Sequence, residues 1–214
     1  MNSVITKYSI FFSLLTFFVS NYFSSNAQIT KPETKFYLQG GIGITSRKGV
    51  LGELGFHAVL NNKWIATVSY QNIEARPRNL PHDYEGDIFI LIPIDLTPTV
   101  NFNLFSITTG KMFSSSNNAW ISTEGGITFG NGEKVTFTPT DPQFYILGRT
   151  SNYNDETERK SIVGVLLRVD FNWAITSYMG MGTNIFLNIN STQSPIGAQL
   201  TLLFGKMGKM KRTF

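Results

Sequence analysis

The chain has 214 residues, about one domain's worth, so two unrelated domains are not expected. It carries 18 Phe, 8 Tyr, 3 Trp and 19 Gly against 18 basic and 14 acidic residues, too aromatic and too lightly charged for a disordered chain. With no cysteine it holds no disulfide, thiolate metal site, cysteine nucleophile or lipidated N-terminal cysteine, while a net charge of +4 raises nucleic acid and anionic membranes as partners.

Behind Lys7 the run from Tyr8 to Val19 is apolar, and Ser20 to Ala27 turns small and polar. This is the pattern of a secretory signal peptide, residues 1–27, with cleavage expected after Ala27 and a mature chain from Gln28. The run is shorter than the roughly 20 apolar residues of a spanning helix, and no later stretch qualifies as one. An exported chain of this kind is either free outside the cytoplasm or inserted in a membrane by its strands.

The mature chain alternates with period two. Phe36, Leu38, Gly40, Ile42 and Ile44 oppose Tyr37, Gln39, Gly41, Gly43 and Thr45; Val50, Leu54, Phe56, Ala58 and Leu60 oppose Glu53, Gly55 and His57; Trp64, Ala66, Val68 and Tyr70 oppose Thr67, Ser69 and Gln71. Val100 to Phe113 and Ala119 to Gly130 alternate more weakly. Val163, Val165, Leu167, Val169, Phe171 and Trp173 then oppose Gly164, Arg168, Asp170 and Asn172, a pattern that a strand buried on both faces does not allow. Ser177 to Ile189 and Ile196 to Phe204 complete about eight strands, each near the 9–11 residues that a tilted strand needs to cross a bilayer. The run Ile88 to Ile94 contains Pro93, which lacks a ladder donor, and is read as part of a loop.

Connections alternate in length. Asn61 to Lys63, Ser114 to Asn118 and Ala174 to Thr176 are tight, whereas the segments from about Ile73 to Thr99 and from about Asn131 to Lys160 are long. Outer-membrane barrels put short turns at one end and long loops at the other. The expectation is an all-β, antiparallel, up-and-down transmembrane barrel over 28–205 with a basic tail, 206–214, and both termini on the turn side.

A barrel of this size is filled by its own side chains. The inward parity is expected to gather Glu53, His57, Lys111, Glu124, Arg168 and Asp170, whose charges must pair in a narrow lumen. A structural plug is the first reading and a gated ion path the alternative. Trp64, Tyr70, Phe102, Phe171, Trp173 and Phe204 are candidates for interfacial girdles.

No catalytic, cofactor or metal site is expected. His57 and His82 lack a ligand pair, no GxSxG turn exists, and Gly40-Gly41-Ile42-Gly43 lacks nucleotide-loop spacing and opens no helix. His82 with Asp83 is the residual enzyme candidate, without a nucleophile. The expected contact surface is on the long loops: Arg76, Arg78, His82 and Tyr84 in one, Phe144, Tyr145, Arg149 and Tyr153 in the other, residue types favoured at interfaces. Asp155 to Lys160 reads as a solvated loop end.

Asn79-Leu80-Pro81-His82-Asp83-Tyr84, Pro93-Ile94-Asp95, Gly110-Lys111, Glu124-Gly125-Gly126, Asn188-Ile189-Asn190 and Leu202-Leu203-Phe204-Gly205-Lys206 resemble the small outer-membrane β-barrels of Bacteroidota, most of which are uncharacterised. The resemblance implies a Gram-negative outer-membrane location and carries no catalytic residue. Such barrels often end on an aromatic in the last strand, so the assembly signal falls on either Phe204 or Phe214.

The rival to a structural or interaction barrel is a soluble, lipocalin-like barrel with its apolar parity inside around an apolar ligand; the second rival is a lipid-modifying enzyme. Partners follow from the first reading: outer-membrane lipid, an extracellular protein or glycan at the loops, and a monomeric barrel. Lys7 leaves with the signal peptide, and Lys206, Lys209, Lys211 and Arg212 lie in the tail, leaving 13 basic against 14 acidic residues elsewhere. The basicity is a tail near anionic headgroups, and nucleic acid drops out as a partner.

Overall fold

The structure, a computed structural model, describes residues 34–86, 88–89, 97–114, 118–142, 144–145 and 148–207. The expected signal segment and residues 208–214 of the tail lie outside the described residues. Eight antiparallel strands form a closed barrel: β1 (Thr34–Thr45), β2 (Gly49–Leu60), β3 (Trp64–Ala75), β4 (Val100–Ser114), β5 (Ala119–Pro139), β6 (Tyr153–Ala174), β7 (Met179–Asn190) and β8 (Ile196–Gly205). Each strand pairs with its neighbours in sequence, and β8 returns to β1 with Tyr37 opposite Gly205 and Thr45 opposite Gly197. There are no helices among the described residues.

Period-two alternation fixes which way the wall faces. Ile42, Ile44, Leu54, Phe56, Val163, Trp173, Leu200 and Phe204 all point outward, Ile42 being 76% and Leu200 71% exposed. Glu53, His57, Gln71, Glu124, Arg168 and Asp170 point inward and are buried. This is the inverse of a lipocalin-like barrel, which needs its apolar parity inside.

The turns explain the tight ends. Asn61 and Asn62 both have positive φ, 54° and 55°, and Lys63 N donates to Leu60 O at 3.0 Å. That is the conformation asparagine tolerates in a narrow hairpin. After β6, Thr176 Oγ1 accepts from the backbone of Tyr178 and Met179 at 3.2 and 3.0 Å.

The connection expected from Asn131 to Lys160 is mostly strand. β5 runs to Pro139 and β6 starts at Tyr153, paired from Gly132 opposite Lys160 to Pro139 opposite Tyr153. The last pair between β4 and β5 is Phe102 with Gly132, so beyond that level the hairpin rises as a two-stranded ribbon. Asp155 to Lys160 belongs to this ribbon, not to a loop end. Ile88–Phe89 pairs with Gly148–Arg149, and Phe144–Tyr145 pairs with it in turn, in a small sheet separate from the barrel. Residues 90–94 of the Pro93 run lie outside the described residues.

The interior is layered. Leu51, Ile73, Val100, Phe102, Leu104, Val135, Ile162, Leu166 and Phe186 form an apolar cluster at the loop end. Tyr37, Val59, Ile65, Met112, Trp120, Ala174, Leu203 and Met207 form a second at the turn end. The inward positions between them are polar: Glu53 and His57 on β2, Thr67 to Gln71 on β3, Ser106 and Thr108 on β4, Ser122 and Glu124 on β5, Arg168 to Asn172 on β6, Gln199 and Thr201 on β8.

Two expected orientations are corrected by the register. Phe102 is fully buried in the loop-end cluster and belongs to no girdle. Lys111 shares the outward parity of Phe105, Ile107 and Phe113, opposite Trp64, with its ammonium 5.2 Å from the Phe113 ring centre. Its alkyl stem lies along the wall while its charge reaches toward the turn end, as long cationic side chains do on an apolar surface.

The small circumference forces inward-facing backbone together. A Cβ added at Gly126 would overlap the Ile107 carbonyl oxygen, whereas one added at Gly40 would meet open space. Gly126→Val is expected to lower stability by about 2–3 kcal/mol and Gly40→Val to leave it unchanged. Urea titration of the folded, heat-modifiable form on gels checks both.

Candidate functional site

The middle layer of the lumen is organised by Arg168. Strand β6 lies opposite β2 across the barrel, and the guanidinium spans that distance: Nη1 donates to Glu53 Oε1 at 2.6 Å. On its own strand Nε donates to Asp170 Oδ2 at 3.1 Å and Nη2 to Asp170 Oδ1 at 2.5 Å, a two-point contact suited to the planar fork. All three side chains are almost wholly shielded from solvent.

Neighbouring strands complete the carboxylates' coordination. Glu53 Oε2 accepts from Gln71 Nε2 on β3 at 2.9 Å and from Gln199 Nε2 on β8 at 2.5 Å. Asp170 Oδ2 accepts from Ser122 Oγ on β5 at 3.2 Å. Glu124, opposite Arg168 in the β5–β6 register, accepts from Thr108 Oγ1 at 2.6 Å. His57 stacks flat on Tyr37 with ring centres 4.5 Å apart, and its Nδ1 lies 2.8 Å from Thr67 Oγ1. It therefore marks the floor where the polar layer meets the turn-end cluster.

Of the six residues expected in the lumen network, the fold brings Glu53, His57, Glu124, Arg168 and Asp170 inside; Lys111 is on the outer wall. Among the described residues the other buried cationic side chain besides Arg168 is Lys35, 1% exposed on the inward parity of β1 with Tyr37 and Gln39. Sequence reasoning began that strand at Phe36 and so missed it, although the parity of Tyr37 and Gln39 extends back to it. The same reading left out Gln71, Gln199, Ser122 and Thr108 as partners, because uncharged groups stand out only once the acids they serve are known. The amides of Gln39, Asn172 and Asn184, on the β6–β7–β8–β1 side, have no hydrogen-bond partner among the described residues.

The loop end carries a second constellation. Residues 76–86 fold onto the ribbon: Asn79 Nδ2 donates to Val135 O at 2.8 Å, Asn152 Nδ2 to Asp83 O at 2.7 Å, and Glu85 N to Asn152 Oδ1 at 2.8 Å. Tyr84, Phe137 and Tyr153 form an aromatic cluster with ring centres 5.6 to 6.4 Å apart. Tyr153 Oη donates to Asp83 Oδ1 at 2.9 Å, which raises the Tyr153 pKa above its ordinary value. Tyr84 and Tyr153, expected as contact residues, thus also cement loop to ribbon. Asp83 is held by Tyr153 and Asn152 and does not orient His82.

Arg78 and His82 are exposed and Arg76 is half-buried. Of Tyr145 and Arg149 the structure describes only the backbone, in the short strands, so the expected role of their side chains lies outside the described residues. Arg78, Asn79, Glu133, Lys134, Thr192 and Gln193 line a cleft of about 440 Å³ at the barrel mouth. Its walls offer both signs of charge and the carboxamides of Asn79 and Gln193.

No protein-family model and no curated protein sequence matches the chain. Among solved structures it is similar to the N-terminal β-barrel domain of Pseudomonas aeruginosa OprF, at 10% identity over 82% of this chain and 99% of that one, with a TM-score of 0.52. It is also similar to Ail, the attachment invasion locus protein of Yersinia pestis, at 10% identity over 83% of this chain and 100% of that one, with a TM-score of 0.48. Neisserial surface protein A aligns at 11% identity over 82% and 99%, with a TM-score of 0.39. At such identities the likeness is one of fold, and the fold is that of small outer-membrane barrels.

Proposed function

We propose that the chain is an outer-membrane β-barrel of a Gram-negative bacterium, with a structural or interaction role through its loop end, a lumen closed by its own side chains, and no catalysis. The observation that carries this reading is the orientation of the wall: large apolar side chains face out all round, while the buried charges face in. In water such a wall is an aggregation surface; in lipid it is the required one, and closure satisfies the backbone that lipid cannot. The first strand starts at Thr34 and the last ends at Gly205, both on the turn side, so in this reading the turns face the periplasm and the ribbon, residues 76–86 and the mouth cleft face outward. The charged residues Asp155, Glu156, Glu158 and Arg159 discourage the ribbon's free edge from pairing with another sheet. That leaves the mouth cleft, with Arg78 and Lys134 beside Glu133, as the contact point for an extracellular protein or glycan.

The plug follows from the layering. Apolar clusters at both ends exclude water from the Arg168 layer, where charge pairing is strong and an unpaired ion is expensive. The barrel stands alone as a monomer because closure leaves no strand edge within the wall to be shared.

The full chain, refolded in detergent and mixed with vesicles, is expected to float with the lipid and to run faster on gels unheated than heated; recovery in the soluble fraction without that shift would sink the membrane reading. Exported protein is expected to begin at Gln28, as N-terminal sequencing would show. Arg168→Met is expected to destabilise by about 3–5 kcal/mol, since it leaves two buried carboxylates facing each other. Lys111→Met, on the outer wall, is expected to stay within about 0.5 kcal/mol of the parent. Urea unfolding in detergent separates the two, and planar-bilayer recordings of the parent are expected to show no stable channel steps.

A further inference from the structure

The outer wall of β3 to β6 changes character at a single level. Asn72 on β3 faces Asn103 on β4, Asn103 faces Asn131 on β5, and Asn131 faces Ser161 on β6, an unbroken polar row across four strands. One outward position nearer the turn end, Tyr70, Phe105, Phe129 and Val163 are cross-strand partners in the same way. Their rings touch, Tyr70 to Phe105 at 5.0 Å and Phe105 to Phe129 at 6.2 Å between centres. Carboxamides directly above a row of aromatics are what a wall presents where hydrocarbon gives way to headgroups.

Above this step lies a recess of about 130 Å³ lined by Asn101, Asn103, Asn131, Gly132, Glu133 and Arg159. Glu133 Oε2 accepts from both the backbone N and the Nδ2 of Asn101, at 2.9 and 3.0 Å, so one wall is held in place. Asn103 Oδ1 accepts from Tyr70 Oη at 2.7 Å and Asn72 Nδ2 at 2.9 Å, which orients that amide and leaves its Nδ2 donors uncommitted. Among the described residues Asn131 has no side-chain partner. Arg159 Nε is 3.9 Å from Glu133 Oε1, so the recess has no net charge.

We propose that this recess binds the sugar headgroup of a membrane glycolipid, the acyl chains lying down the aromatic row. The inference rests on the reading of the wall as lipid-facing. Carboxamides present donor and acceptor side by side and match sugar hydroxyls, whereas a phosphate headgroup calls for surplus positive charge, which Glu133 cancels. The location commits the site to an anchored lipid, because its lower rim is the hydrocarbon boundary.

The test is native mass spectrometry of the full chain in detergent with an equimolar mixture of diglucosyl diacylglycerol, phosphatidylglycerol and phosphatidylethanolamine of matched acyl chains. The glycolipid is expected to be retained about tenfold over either phospholipid, the preference that one or two net hydrogen bonds confer. Asn131→Leu combined with Asn103→Leu is expected to bring the three lipids to parity while the heat-dependent gel shift stays intact. Equal retention by the parent chain, a preference for phosphatidylglycerol, an unchanged preference in the double variant, or displacement of the glycolipid by soluble maltose each overturns the proposal. Absence of the gel shift in the parent chain overturns the membrane reading and the site with it, which distinguishes the two failures.

Discussion

The return of β8 to β1 is the constraint on which the other features depend. A sheet that ends in two edges can take any width, but a closed one of eight strands has a set circumference. That circumference gives a lumen about as wide as the side chains inside it. Inward groups then meet across the barrel as well as along the wall, which is how a guanidinium on β6 reaches a carboxylate on the strand farthest from it. Closure also removes every unpaired main-chain group at the sides of the wall, so the outward face is free to be wholly apolar.

The layered interior is a solution to two opposed demands. An all-apolar filling would pack well but would specify little about how opposite walls align. An all-polar one would stay wet and weakly held. Here the ends are sealed by Phe102 and its neighbours above and by Trp120 and its neighbours below, and the charges sit between, where their partners must be in register. Burying Arg168, Glu53 and Asp170 together is costly, so the arrangement contributes more to a unique geometry than to net stability.

Much of the wall was legible because lipid and lumen ask for different chemistry, and alternate residues answer each. The alternation read from Val163 to Trp173 and from Ile196 to Phe204 matches the faces observed. It misled where the lumen itself is apolar. On β4, Phe102 and Leu104 point in and Phe105 and Ile107 point out, so hydrophobicity no longer distinguishes the faces, and both Phe102 and Lys111 were placed on the wrong one. Above the wall the signal is short and one-sided: Val135 and Phe137 alternate with Thr136 and Thr138 on β5, but the facing stretch Asn154 to Lys160 on β6 is polar throughout, so its pairing left no period to read. The aromatic cement of Tyr84, Phe137 and Tyr153 joins residues far apart in sequence and could be found only in three dimensions.

The position of Arg168 and Glu53 on strands half a turn of the barrel apart bears on how the molecule comes to be. In a sheet still unrolled, the two charges are separated by the width of several strands and remain hydrated. They meet only when the first and last strands have found one another. Desolvation of the charges and joining of the seam therefore belong to a single event, and a partly wrapped sheet keeps its ions in water instead of gaining from them. The contact thus acts as a latch that rewards complete wrapping alone.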